Sequence, residues 1–202
     1  MVSRITEIAG KAITLKGSNI DTDRIIPARF LKELTFDELG KSAFIDDRTQ
    51  LKEQGLLHPL DEPRFKGASV LVVNVNFGCG SSREAAPQAL FRHGIRAIIG
   101  VSYGDIFFSS SIAIGMPCVH VANDIAKKIQ SLTDQGGVNI EINIKKREIL
   151  VDKKHLFKCS IDDGVREQLL NGTWDALYDL TQHSDKIEEV YNKLPYTSWK
   201  TN

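Results

Sequence analysis

Several absences bound what this chain can be. It has no surplus of charge: Lys+Arg and Asp+Glu number 26 each. It therefore lacks the basic field with which nucleic-acid-binding and membrane-surface proteins attract their partners. It has no long hydrophobic run. The longest, Ala68 to Val73, falls far short of the roughly 20 residues needed to span a bilayer. The opening stretch MVSRITEIAGKAITLKG lacks the apolar core of a signal peptide, which predicts a cytoplasmic protein. Cysteine is scarce and scattered. Cys79, Cys118 and Cys159 form no C-x-x-C clip, so no metal or disulfide framework is predicted. Cys118 and Cys159 read as buried free thiols. The five histidines are dispersed, with no i, i+4 pair. Internal repeats and low-complexity segments are also missing.

What is present fits one ordinary α/β domain of 202 residues, 42% of them apolar. ASVLVVNVNF, IRAIIGV and PCVHV read as buried strands, each followed by a helical stretch, which is the pattern of right-handed parallel crossovers. Asn123 is the expected N-cap of the helix after PCVHV, with Gly136 as its stop. SRITEIAGKAITLKG reads as short strands, and Pro27 opens a short helix carrying Phe30 and Leu31. Residues 35–63 read as a long irregular connection. VNIEINIKKREILVDKKHLFKCS alternates with period two and breaks at Lys145–Arg147, giving strand–turn–strand. The expected organisation is a domain over residues 1–160 and a helical extension over 161–202 packed on it. In that extension Trp174, Leu177 and Tyr178 share a face.

The most informative stretch is NVNFGCGSSREAAPQAL, Asn74 to Leu90. Gly78 and Gly80 permit a turn that other residues resist, at the carboxyl end of a parallel strand, where open α/β sheets bind ligands. A helix N-terminus offers unpaired N–H groups and a positive dipole end. Ser82 and Arg83 add a hydroxyl and a guanidinium fork suited to a carboxylate. Ser81 and Glu84 also have capping-box spacing, so the stretch reads equally as a well-capped junction. It is not a Walker A loop, Arg83 occupies the third glycine position of G-x-G-x-x-G, and G-x-S-x-G is absent. Spacing alone gives an anion site with a possible serine base or nucleophile. A second cluster, NIDTDRIIP, brackets Thr22 with Asp21 and Asp23. It reads either as an Asx-turn ahead of Pro27 or as part of the same pocket.

These two stretches, with GIRAIIGVSYGDIFFSSSIAIGMP, resemble the small subunits of bacterial 3-isopropylmalate dehydratases, which are similar to the swivelling domain of aconitase. The resemblance runs from about residue 5 to residue 195. It implies an aconitase-like swivelling β/β/α domain with a mixed, partly parallel sheet and C-terminal helices. It also implies a hydro-lyase that interconverts 2- and 3-isopropylmalate, small dicarboxylates of leucine biosynthesis. A larger partner subunit would carry a [4Fe-4S] cluster, and this chain would bind no cofactor itself. Ser81 would be the general base, Ser82 and Arg83 would hold substrate carboxylate, and Thr22 and Asp23 match the family's active-site loop. Phe30, Leu31 and Leu34 lie where the family senses the substrate's side chain, and they read equally as core. Ala85 and Gln88 depart from the family's usual His and Trp. That keeps related hydro-lyases acting on homoaconitate or dimethylmalate in view, and a non-catalytic anion-binding module is the third reading.

Overall fold

The computed structural model describes residues 4–32, 36–81, 84–181 and 183–196. Strand β1 (Glu7–Thr14) is a single strand, not several short ones. Gly10 within it marks a close approach, since a Cβ there would lie 1.8 Å from Ser69 Oγ. Helix α1 (Thr22–Ile25), a 3-10 turn over Ala28–Lys32, α2 (Phe36–Leu39) and α3 (Ile45–Glu53) follow. Helix α3 corrects the expectation of an irregular connection. It buries no residue and so carries no apolar period by which to read it. Ion pairs from Arg24 to Asp47 and from Arg48 to Asp61 tie it down at 2.7 and 2.5 Å, and Phe44, 1% exposed, plugs its start.

Parallel crossovers then run through β2 (Val70–Val72), α4 (Ala85–His93), β3 (Ala97–Gly100), α5 (Asp105–Ala113), β4 (Cys118–His120) and α6 (Asn123–Thr133). Ala122, not Asn123, caps α6, and no side chain completes that cap. An antiparallel set closes the sheet: β5 (Asn139–Asn143), β6 (Glu148–Val151) and β7 (His155–Lys158). This is three strands where two were expected. The extra turn puts Asp152 and Lys153 at φ 48° and 57°, the geometry of a tight hairpin usually signalled by Asn-Gly or Asp-Gly. Helices α7 (Asp163–Asn171), α8 (Ala176–Thr181) and α9 (Ser184–Lys193) complete the chain.

The strand order is β4-β3-β2-β1-β5-β6-β7, parallel from β4 to β1 and antiparallel beyond. The parallel strands are covered on both faces. Leu71, Val73 and Ile98 join a core with α1, α4 and α5, while Val70, Val72 and Ile99 join a second core with α6 and α7. This alternation explains the near-continuous apolar runs of those strands. The sheet's edges meet beyond β7, where His120 and Ser160 exchange backbone hydrogen bonds of 2.9 and 2.8 Å. Cys118 is buried as expected, whereas Cys159 is only half-buried. Leu169 of α7 is fully buried and Trp174 packs on the second core, whereas α9 has no buried residue.

His58 shows what burial does to a titrating group. It is 5% exposed and stacks on Phe44 with ring centroids 5.2 Å apart. Its Nδ1 accepts the Leu60 N–H at 3.2 Å. Burial pushes the imidazole down from 6.5 to about 4. Between those values the unfolded chain takes up a proton that the folded chain refuses. The contribution of neutral His58 is thus complete above about 6.5 and is lost as pH falls through about 4. Melting temperature is expected to drop across this window, and His58→Asn should flatten the drop. Equal slopes in both proteins would assign the acid sensitivity to other groups.

Candidate active site at the carboxyl edge of the parallel strands

Beyond β1, β2 and β3 the chain forms a second, shorter parallel ladder. The Asn19 N–H donates to the Val75 carbonyl at 2.9 Å, Gly78 N–H to Ile20 at 2.7 Å, and Thr22 N–H to Cys79 at 2.9 Å. On the other side Phe77 N–H donates to Ser102 at 3.0 Å and Gly104 N–H to Phe77 at 2.9 Å. Asp21 bridges Cys79 and Phe77 bridges Tyr103. The loops of the two motifs therefore lie side by side, a juxtaposition that spacing in sequence left open.

The side chains that set this frame went unnoticed in the sequence. Asn76 Nδ2 donates to Asn19 Oδ1 at 2.8 Å, and Asn76 N–H to Ser102 Oγ at 2.8 Å. Both asparagines take the left-handed conformation, φ 56° and 57°, which asparagine tolerates better than most residues. Asn74 and Gln130 exchange amide hydrogen bonds of 3.2 and 3.1 Å, which locks the β2 loop to α6. The one signal in the sequence was the repeated Asn at 19, 74 and 76, just past strand ends.

The glycine turn is held by contact as much as by torsion. Gly78 has φ 72° and lies under Phe107, whose Cγ would stand 2.2 Å from an added Cβ. A Cβ on Gly104 would stand 2.5 Å from the Gly78 carbonyl oxygen. Gly104 is the N-cap of α5, with no side chain completing the cap. The N-terminus of α5 therefore packs against the turn, and α4 begins four residues after Ser81. Helix ends of this kind favour an anion through their unpaired N–H groups and dipoles, though Glu84 and Asp105 stand at these two ends.

Ser81 sits on this turn, exposed. Among the described residues its hydroxyl makes no hydrogen bond. The expected capping box does not form: α4 begins at Ala85 with Glu84 as N-cap, already at φ −58°, and no side chain completes it. Ser81 stands too far ahead of that first turn to cap it. Ser82 and Arg83, expected to bind carboxylate, lie outside the described residues. Asp23 is exposed in α1. Thr22, expected to touch substrate, is 1% exposed and donates its hydroxyl to the Ser81 carbonyl at 2.9 Å. Ala85 and Gln88 are 8% and 9% exposed, so these departures lie on the inward face of α4. Phe30 packs against the first core; the Leu31 side chain and Leu34 lie outside the described residues.

A cavity of about 410 Å³ opens beside Ile20 and Arg24. Its cations are taken up by the chain's own acids, Arg24 by Asp47 and Lys16 by Asp134, and Ser81 is not among its walls. Two of the three cysteines are held as neutral thiols. Burial pushes Cys118 up to about 12 and Cys159 up to about 11, against the thiolate such a centre requires. Among the described residues no three His, Cys, Asp or Glu side chains group to hold a metal, and no helix is long and apolar enough to cross a membrane.

Residues 2–124 match the aconitase C-terminal domain. The chain is 44% identical to the 3-isopropylmalate dehydratase small subunit of Synechocystis sp. over 202 residues, covering 100% of this chain and 99% of that one. It is 42% identical to the protein of that name from Thermus thermophilus, over 97% and 98% of the two chains. A crystal structure of 3-isopropylmalate dehydratase from Methanocaldococcus jannaschii superposes with a TM-score of 0.65 at 28% identity, covering 89% of this chain and 99% of the other. The mixed sheet, the linked motif loops and this full-length similarity agree, and the chain belongs to the aconitase C-terminal domain family, among the 3-isopropylmalate dehydratase small subunits.

Proposed function

We infer that this chain is the small subunit of a hydro-lyase that interconverts 2- and 3-isopropylmalate in leucine biosynthesis, active only when a larger subunit completes the site. The observation that supports it most directly is an exposed serine hydroxyl on the turn where the two motif loops pair and the α5 N-terminus packs. Ser81 takes a proton from carbon as hydroxide leaves the neighbouring carbon, and addition of water in the opposite sense yields the isomer. A serine hydroxyl is a weak base at neutral pH, so its alkoxide form needs a site rich in N–H donors and positive charge. The α4 and α5 N-termini, with the Arg83 guanidinium, supply that field. The same field stabilises the charge that builds on the substrate carboxylate as the proton leaves. Ser82 and Arg83 bind that carboxylate, and Asp23 of the first motif joins them in holding the substrate.

Among the described residues no His, Cys, Asp or Glu cluster offers ligands for the Lewis acid that draws off the hydroxide. We assign that part to a [4Fe-4S] centre in the larger subunit. The subunit works in the cytoplasm.

Substrate identity is tested by reconstituting the pair and assaying it against isopropylmalate, homoaconitate and dimethylmalate. Isopropylmalate is expected to be preferred by kcat/KM. A preference for another substituted malate would reassign the substrate while leaving the reaction class intact.

A further inference from the structure

Thr22 grips the glycine turn at two points. Its N–H donates to the carbonyl of Cys79 at 2.9 Å, and its hydroxyl donates to the carbonyl of Ser81 at 2.9 Å. Between those two carbonyls lies Gly80, at φ 95°, a conformation with little steric preference of its own. An added Cβ on Gly80 would meet Asp21 Cβ at 3.4 Å and Thr22 Oγ1 at 3.8 Å, so the first motif lies directly against the turn. Thr22 itself cannot shift easily. It is 1% exposed, and its carbonyl accepts the Ile26 N–H at 2.9 Å. Its neighbour Asp21 caps α1 by accepting the Arg24 N–H at 2.9 Å, and Arg24 is in turn held to Asp47 of α3 at 2.7 Å. The path from α3 to the turn is thus a chain of short, directional contacts.

We propose that Thr22 is a positioning residue: the bond from its buried hydroxyl to the Ser81 carbonyl fixes the backbone that aims the Ser81 side chain, and Thr22 does not touch substrate. The proposal rests on Ser81 being the base. The hydroxyl is spent inside the protein, on the backbone of Ser81, whose own hydroxyl is exposed and makes no hydrogen bond among the described residues. Replacing that donor leaves Gly80 with one anchor instead of two, and Ser81 is free to swing. A reacting group displaced by about 1 Å loses on the order of 10²-fold in rate.

The test is a double-mutant cycle in the reconstituted enzyme with 3-isopropylmalate as substrate. Thr22→Val removes the donor at nearly constant volume, and Thr22→Ser keeps it. Thr22→Val is expected to lower kcat by about 10- to 100-fold with KM changed less than about threefold, and Thr22→Ser to stay within about threefold of the parent. In a Ser81→Ala background, Thr22→Val is expected to cause no further loss, because groups that act through one another are non-additive. Melting of each variant and its binding to the larger subunit are measured first. If valine does not fit, Thr22→Ala makes the same deletion. A raised KM at unchanged kcat, additive losses in the double variant, or unfolding of both deletion variants would each overturn the proposal. If Ser81→Ala is itself harmless, the base assignment has failed. If Ser81→Ala is disabling but Thr22→Val is harmless, only the role of Thr22 has failed.

Discussion

Ser81→Ala is expected to lower turnover of the reconstituted enzyme by about 10²–10⁴-fold, the usual contribution of a positioned general base, while the isolated subunit melts as the parent does. The two halves of this expectation have separate grounds. Stability should hold because the Ser81 side chain is exposed and, among the described residues, makes no hydrogen bond. Exposed positions of that kind usually shift stability by less than about 0.5 kcal/mol. Turnover should fall because Ser81 carries the exposed hydroxyl on the turn where the two motif loops pair. Substrate affinity should change little if the carboxylate is held by Ser82 and Arg83. The measurement is steady-state kinetics in both directions, with melting curves of the isolated chain as control. Turnover within a few-fold of the parent would favour the non-catalytic, anion-binding reading.

Gly78→Ala is expected to be the most destabilising single change on the turn. Two costs coincide there. The backbone is at φ 72°, where a Cβ costs about 1–2 kcal/mol. The new methyl would also stand 2.2 Å from Phe107 Cγ and 2.6 Å from its Cβ. Phe107 is 2% exposed and meets Phe77 edge-on, with centroids 5.3 Å apart, so the ring has no room to withdraw. Overpacking of this kind costs about 1–3 kcal/mol, for a combined loss of about 2–5 kcal/mol. Gly55→Ala is the control: its φ of 74° matches that of Gly78, but an added Cβ meets nothing within 4 Å, so it carries the backbone cost alone. Denaturant midpoints of the two variants separate strain from packing. Equal losses would mean that Phe107 does not hold the turn. The surviving folded fraction of Gly78→Ala should also be poorly active, because Ser81 lies three residues along the displaced segment.

Much of the fold was legible because local chemistry and burial agreed. Val70–Val73 and Ile98–Ile99 alternate between two cores, so a strand covered on both faces reads as an unbroken apolar run. Where they disagreed, the reading failed. Helix α3 is held by ion pairs and by Phe44 at its start, neither of which leaves a periodic stripe. The β6–β7 turn uses Asp152 and Lys153 where glycine is the usual signal. The stretch read as short strands is one strand, with Gly10 at a close approach to Ser69. Ser81 and Glu84 have the spacing of a cap, but α4 starts too late to use it.

By itself the sequence determined the chemistry on offer: a serine–arginine turn after a buried strand and an Asp-Thr-Asp loop before a proline. Only the tertiary structure decided how these are used. It brought loops more than fifty residues apart into one ladder, set Gly104 and Phe107 against the turn, and buried the Thr22 hydroxyl on the Ser81 backbone. The physical reason is that side-chain types and local periodicity are inherited along the chain, whereas a hydrogen bond between loops exists only after the sheet has set the register of its strands.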